Sequence, residues 1–166
     1  MQMKWDTIIV MGVAGCGKST VAEEVSKRLR WIMIEGDQFH PSHNIGKMKN
    51  GIPLNDDDRF PWLRSIREEI GRHSTVIVSC SALKELYRTI LSKDRQCLFV
   101  FLDVSRDELV RRLKNRRDHF FNSSLLDSQL STLERPNPRE GALIIEVSQS
   151  TTVDTIADRV VQYLMS

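Results

Sequence analysis

Between Ile8 and Thr20 the chain passes from a β-branched run, Ile8-Ile9-Val10, into Gly12-Val13-Ala14-Gly15-Cys16-Gly17-Lys18-Ser19-Thr20, and then into a helical pattern of Val21, Ala22, Val25 and Leu29. The spacing is GxxxxGK[ST] in the setting such a loop requires, with a strand before it and a helix after it. Glycines let successive backbone N–H groups curl around an anion without Cβ clashes, and the following helix turns its positive end to the same point. Residues Gly12 to Thr20 therefore predict a triphosphate cradle for ATP. In it Lys18 reaches the β- and γ-phosphates, Ser19 offers a hydroxyl to Mg²⁺, and Thr20 adds an α-phosphate contact. A glycine turn that merely caps a helix is the plainer reading, and the weaker one with strand and helix both in place.

Strand and helix patterns alternate from there on. Further strands are predicted at 31–34, 75–78, 97–102 and 143–147. Helices are predicted at 18–30, from Pro41 to about 48, through Phe60, Leu63, Ile66 and Ile70, at 83–91, 103–117 and 124–133, and at the C-terminal end from Val153 to Leu164. Such alternation calls for a parallel sheet covered on both faces. The expected fold is thus α/β of the P-loop type: a five-stranded parallel sheet flanked by helices on both faces, in one domain spanning 1–166. It carries an acceptor-binding helical insertion at 37–63 and a lid at 116–124. With 40% apolar and 28% charged residues the chain can fill one core, and a net charge of +2 gives no argument for nucleic acid or an acidic membrane surface. Cys16, Cys80 and Cys97 lie far apart without metal-site spacing, no apolar run is long enough to span a bilayer, and the first strand begins almost at once. A reducing, cytoplasmic setting is the expectation.

A phosphate loop alone leaves kinase, switch GTPase and mechanical ATPase open. The chain lacks the Asn-Lys-x-Asp element that reads guanine, and it is short for a motor, so a compact phosphotransferase with a lid is favoured. Such an enzyme needs a group to take or orient the acceptor hydroxyl proton and cations for the transferred phosphoryl. Asp37 follows the second strand, at the end of the sheet where parallel folds collect ligands, and is the base candidate. Arg116, then Arg117 or Arg112, are the candidate charge stabilisers on a basic helix face that could equally be solvated. Between them lie His40, Lys47, Arg59, Lys84 and Arg88 with Asp37 and Asp57, a mixture suited to a small polyhydroxylated anion. For Asp56, Asp57 and Asp58 helix capping is at least as good an account.

Several longer blocks share a pattern. Gly12 to Ser19, Gly36-Asp37-Gln-Phe-His40-Pro41, Asn44, Lys47-Met48, Gly51-Ile-Pro-Leu-Asn-Asp-Asp-Asp-Arg59, Pro61-Trp62-Leu63, Cys80-Ser-Ala-Leu-Lys84, Tyr87-Arg88 and His119-Phe120 resemble the motif set of the gluconokinases, small P-loop kinases related to shikimate kinase. The resemblance runs in order from about residue 8 to residue 136. It implies Mg-ATP as donor, D-gluconate as acceptor at its 6-hydroxyl, and 6-phosphogluconate for the pentose phosphate or Entner-Doudoroff route. It also implies a homodimer, Asp37 at the acceptor, and His119 as an acceptor-side residue. Asp118 replaces a usual glycine, and Leu130 stands where an aromatic residue is expected.

Overall fold

The computed structural model describes residues 3–115 and 123–166. Its first strand, β1 (Thr7–Met11), is wholly buried, as a run of Ile8, Ile9 and Val10 at the centre of a sheet must be. Four more strands follow, β2 (Ile32–Glu35), β3 (Val76–Ser79), β4 (Cys97–Val104) and β5 (Ala142–Val147), in the order β2-β3-β1-β4-β5 with every pairing parallel. This is the predicted five-stranded sheet. The edge strands show their position: Ile32 in β2 and Ile144 in β5 are exposed, whereas β3 is buried throughout.

Seven α-helices cover the sheet among the described residues: α1 (Lys18–Leu29), α2 (Ser42–Lys49), α3 (Asp56–Ile70), α4 (Glu85–Ser92), α5 (Arg106–Lys114), α6 (Ser123–Thr132) and α7 (Val153–Met165). The crossover from β1 runs one way along the sheet and those leaving β2, β3 and β4 run the other. Right-handed connections therefore put α1 on one face and α3 and α4 on the opposite one. α7 packs back against α1, and α3 against α4. None of these helices is long and apolar enough to cross a membrane.

Three boundaries differ from the sequence expectation, each for a local reason. α5 starts at Arg106 and not near 103, because Asp103 and Val104 continue the ladder with Glu146 and Val147 and the Ser105 hydroxyl then accepts from Glu108 N–H at 3.2 Å. α4 starts at Glu85 and not at 83, since Lys84 is extended. α2 is preceded by a 3₁₀ turn, Gly36–Phe39, which carries Asp37 out from the end of β2. α3 begins with a capping box in which the Asn55 side chain accepts from Asp58 N–H and the Asp58 carboxylate accepts from Asn55 N–H. Of the three aspartates, Asp58 thus has the capping role. The lid expected at 116–124 lies outside the described residues except for its last two positions, which open α6.

Candidate active site

The loop after β1 turns on glycines at φ +146° (Gly12), +86° (Gly15) and +95° (Gly17), a region L side chains rarely adopt. A Cβ on Gly12 would also lie 2.7 Å from Cys16 Sγ. These positions accept only glycine because the backbone itself forms the wall. Ala14, Gly15, Gly17, Lys18, Ser19 and Thr20 line a cavity of about 420 Å³. Gly12, Val13 and Cys16 are not among its lining residues and instead hold the loop's shape: Gly12 N–H donates to Ser81 O, Cys16 N–H donates to Val13 O at 3.2 Å, and Val13 and Cys16 are buried. Lys18 Nζ donates to Val13 O at 3.3 Å. Arg112 braces the loop from behind, with Nη1 3.2 Å from Cys16 O and Nε 3.0 Å from Glu108.

The opposite wall of the same cavity carries Asp37, His40, Arg59 and Trp62. β3 separates β1 from β2, so Asp37 meets the loop only because both strands end at the same edge of the sheet. Gly36 makes this possible, as any Cβ there would lie 2.3 Å from Ser79 O. Trp62 Nε1 donates to Gly36 O at 2.8 Å, and the Trp62 ring carries His40 stacked at a centroid distance of 4.1 Å. Burial pushes the His40 imidazole below its ordinary pKa against the opposing pull of Asp37. Arg59, 7% exposed, donates through Nη1 to the Tyr87 hydroxyl at 3.2 Å, and that hydroxyl in turn donates to Asp56. The Tyr87 contact, with help from Lys84, holds the Asp56 carboxyl below the usual carboxylate range.

Four residues expected at the acceptor lie elsewhere. Arg88 is 2% exposed and fully used: it pairs with Glu140 at 2.9 Å and donates to Ala82 O and Glu134 O, tying the α6–β5 connection to the β3–α4 connection. Its charge holds the fold together and does not reach the cavity. Lys47 Nζ sits 2.7 Å from Asp58 Oδ2, and this contact, with the capping bond to Asn55, brings the Asp58 carboxyl down to about 2. Lys84 pairs with Asp56 at 3.0 Å, and with Asp57 it lines a neighbouring recess that only Arg59 and Leu54 share with the main cavity. Arg116 and His119 lie outside the described residues.

The structure adds side chains to which sequence reasoning assigned no role. Asn44, quoted above only within a motif, is fully buried and bridges His40 and Asp58. From α6, Leu125, Leu126, Ser128 and Gln129 close the cavity over the loop, and Gln129 Oε1 accepts from Ala14 N–H at 2.7 Å. That N–H belongs to the phosphate cradle. The weak apolar pattern of 124–133 gave no sign that a carboxamide would engage it.

Residues 14–165 match the family model described as shikimate kinase. The chain is 40% identical to the gluconokinase of Gluconobacter oxydans, over all of this chain and 95% of that one. It is 41% identical to a probable gluconokinase of Dictyostelium discoideum, over 95% and 85%. The chain belongs to the gluconokinase family. A crystal structure of a gluconokinase from Sinorhizobium meliloti 1021 superposes with a TM-score of 0.87 at 39% identity, covering 99% of this chain and 94% of that one. In this gluconokinase-family chain the nucleotide loop and the Asp37–His40–Arg59 wall thus face each other across one cavity.

Proposed function

We propose that the protein is an ATP-dependent gluconokinase that transfers the γ-phosphoryl group of Mg-ATP to the 6-hydroxyl of D-gluconate. The observation that carries this reading is the single cavity with phosphate-binding backbone on one wall and a carboxylate, an imidazole and a guanidinium on the other. The Arg59 guanidinium, held from behind by Tyr87, suits the gluconate carboxylate. Asp37 is free to take or orient the proton of the attacking hydroxyl. That oxygen bonds to the γ-phosphorus as the bond to the ADP oxygen breaks, and Lys18 and the loop N–H groups stabilise the charge on the transferred group.

The Ser19 hydroxyl, exposed in the first turn of α1, lines the cavity as an oxygen donor of the kind Mg²⁺ takes, and no cluster of three His, Cys, Asp or Glu occurs among the described residues. Mg²⁺ keeps several waters and phosphate oxygens, so few protein ligands suffice. When bound, the ion would neutralise phosphate charge. The same reading includes a single domain with acceptor segment 37–63 and lid 116–124, charge stabilisation by Arg116 and an acceptor contact from His119. It also includes a cytoplasmic homodimer that feeds gluconate carbon onward as 6-phosphogluconate.

Coupled ADP release with gluconate, gluconolactone, shikimate, other sugar acids and nucleoside monophosphates tests the acceptor. The expected outcome is turnover with gluconate well above all others. Turnover with shikimate or a nucleotide instead would keep the fold and overturn the substrate, and ATP binding with no acceptor-dependent ADP release would overturn the enzyme.

A further inference from the structure

His40 lines the cavity, and the ring nitrogen that carries its proton decides whether it gives or takes a hydrogen bond there. The surrounding packing answers this. The imidazole lies on the Trp62 ring at an interplanar angle of 13°, and the indole is itself anchored by its bond to Gly36 O, so the ring plane is set. Along its edge Nδ1 lies 3.2 Å from Asn44 Nδ2. An amide nitrogen only donates, so Nδ1 must be the bare, accepting nitrogen if the amide is oriented this way.

The orientation follows from a second partner. Asn44 is 0% exposed, and its Nδ2 also lies 2.9 Å from Asp58 O, a carbonyl that can only accept. Turning the amide over would press Oδ1 against that carbonyl oxygen and strip both N–H groups of their acceptors. As oriented, only Oδ1 lacks a partner among the described residues. Asp58 is fixed in turn by the capping box with Asn55 and by Lys47 Nζ at 2.7 Å. One NH₂ group is therefore divided between a helix-start carbonyl and His40 Nδ1. An imidazolium would need a proton on Nδ1, facing the Asn44 N–H, and this contact disfavours it along with the Nδ1–H tautomer. Among the charged groups around the ring, Asp37 favours the protonated form while Arg59 and burial oppose it.

We propose that Asn44 is a positioning residue that locks His40 as the neutral Nε2–H tautomer, so that His40 meets the sugar acid as a hydrogen-bond donor to one of its oxygens and not as a base. The identity of the acceptor rests on the gluconokinase reading, whereas the tautomer rests on the bonds to Asp58 and His40 alone. Proton acceptance then falls to Asp37. Because a donor to a spectator oxygen grips substrate and transition state alike, its loss raises KM and leaves kcat nearly untouched.

The experiment has two arms. A long-range ¹H–¹⁵N imidazole spectrum of the wild-type protein at neutral pH, with His40 assigned by its absence in His40→Gln, is expected to show a protonated Nε2 and a bare Nδ1. A protonated Nδ1 overturns the proposal. In the kinetic arm, His40→Phe keeps the stack on Trp62 and removes the donor, so gluconate KM should rise about 10-fold with kcat and ATP KM within about twofold. His40→Gln, whose amide nitrogen can stand where Nε2 stood, should recover most of that loss, and His40→Asn should not. Asn44→Ala should show mixed tautomers and a gluconate KM shifted in the same direction. Gluconate KM unchanged in His40→Phe, or no recovery in His40→Gln, overturns the donor role. No turnover of gluconate by the wild type beside an Nε2–H spectrum would sink the gluconokinase reading and leave the tautomer standing.

Discussion

The two walls of the cavity are built differently. On the phosphate side, residues Ala14 to Thr20 form one contiguous segment that offers backbone N–H groups, a lysine and two hydroxyls. On the acceptor side, Asp37, His40 and Arg59 come from a 3₁₀ turn, the chain that follows it and α3, and stand on a second layer of Trp62, Asn44, Asp58 and Tyr87. A wall made of backbone is specified wherever glycine allows the turn. A wall made of side chains is specified only when the layer directly behind it is in place, so substitutions in that second layer should be felt on the acceptor side and little on the other.

The largest effect expected is from Asp37→Asn, which keeps shape and removes the basic carboxylate. If Asp37 takes the proton, single-turnover rates with saturating gluconate should fall ~10²- to 10⁴-fold with gluconate affinity little changed. A rate within about threefold of wild type would make Asp37 an orienting or capping residue and reduce the acceptor wall to binding alone.

Arg88→Met asks whether a residue outside the cavity governs the acceptor side. Removing one partner of the buried pair with Glu140 should cost about 3–5 kcal/mol of unfolding free energy in denaturant melts. KM values for ATP and gluconate should stay near wild type in the folded fraction. A selective rise in gluconate KM without lost stability would return Arg88 to the acceptor site.

Arg59→Ala sharpens the comparison by separating ligands. A hydrogen bond to a charged group contributes about 1.5–3 kcal/mol, so gluconate KM should rise roughly 10- to 100-fold while ATP KM holds. Equal loss for both ligands would mean that the two walls are one structural unit.

The smallest effect is expected where the phosphate side is not purely local. Gln129 Oε1 occupies Ala14 N–H, and a nucleotide phosphate competing for that N–H must displace it. Gln129→Ala should therefore lower the ATP dissociation constant by about fivefold, as one neutral hydrogen bond is worth. Isothermal titration decides it, and weaker ATP binding would make Gln129 a nucleotide ligand instead.

The difference between the walls also explains what could be read in advance. The loop, its Lys18 and Ser19, and the five-strand alternation were legible because each depends on neighbours in sequence: φ-permissive glycines, contiguous apolar runs for strands buried on both faces, period-3.6 burial for helices, and a helix start. Asp37 was legible from its place after a parallel strand. Arg88, Lys47 and Lys84 were not, because a cation's partner is invisible in sequence. Arg88 reaches Glu140 and Lys84 reaches Asp56 across long stretches of chain, and a charge already paired is no longer offered to a ligand. Gln129 was missed for the same reason, since its partner lies 115 residues away.

By itself, then, the sequence determined the order of elements, the phosphate loop and the residues that end the parallel strands, all consequences of local backbone geometry and hydrophobic period. Only the tertiary structure decided which side chains are spent on one another and which remain for the cavity. Charges and amides are satisfied by whatever packing brings within about 3 Å, and that distance is set by the strand order β2-β3-β1-β4-β5 and the helices laid over it, not by position along the chain.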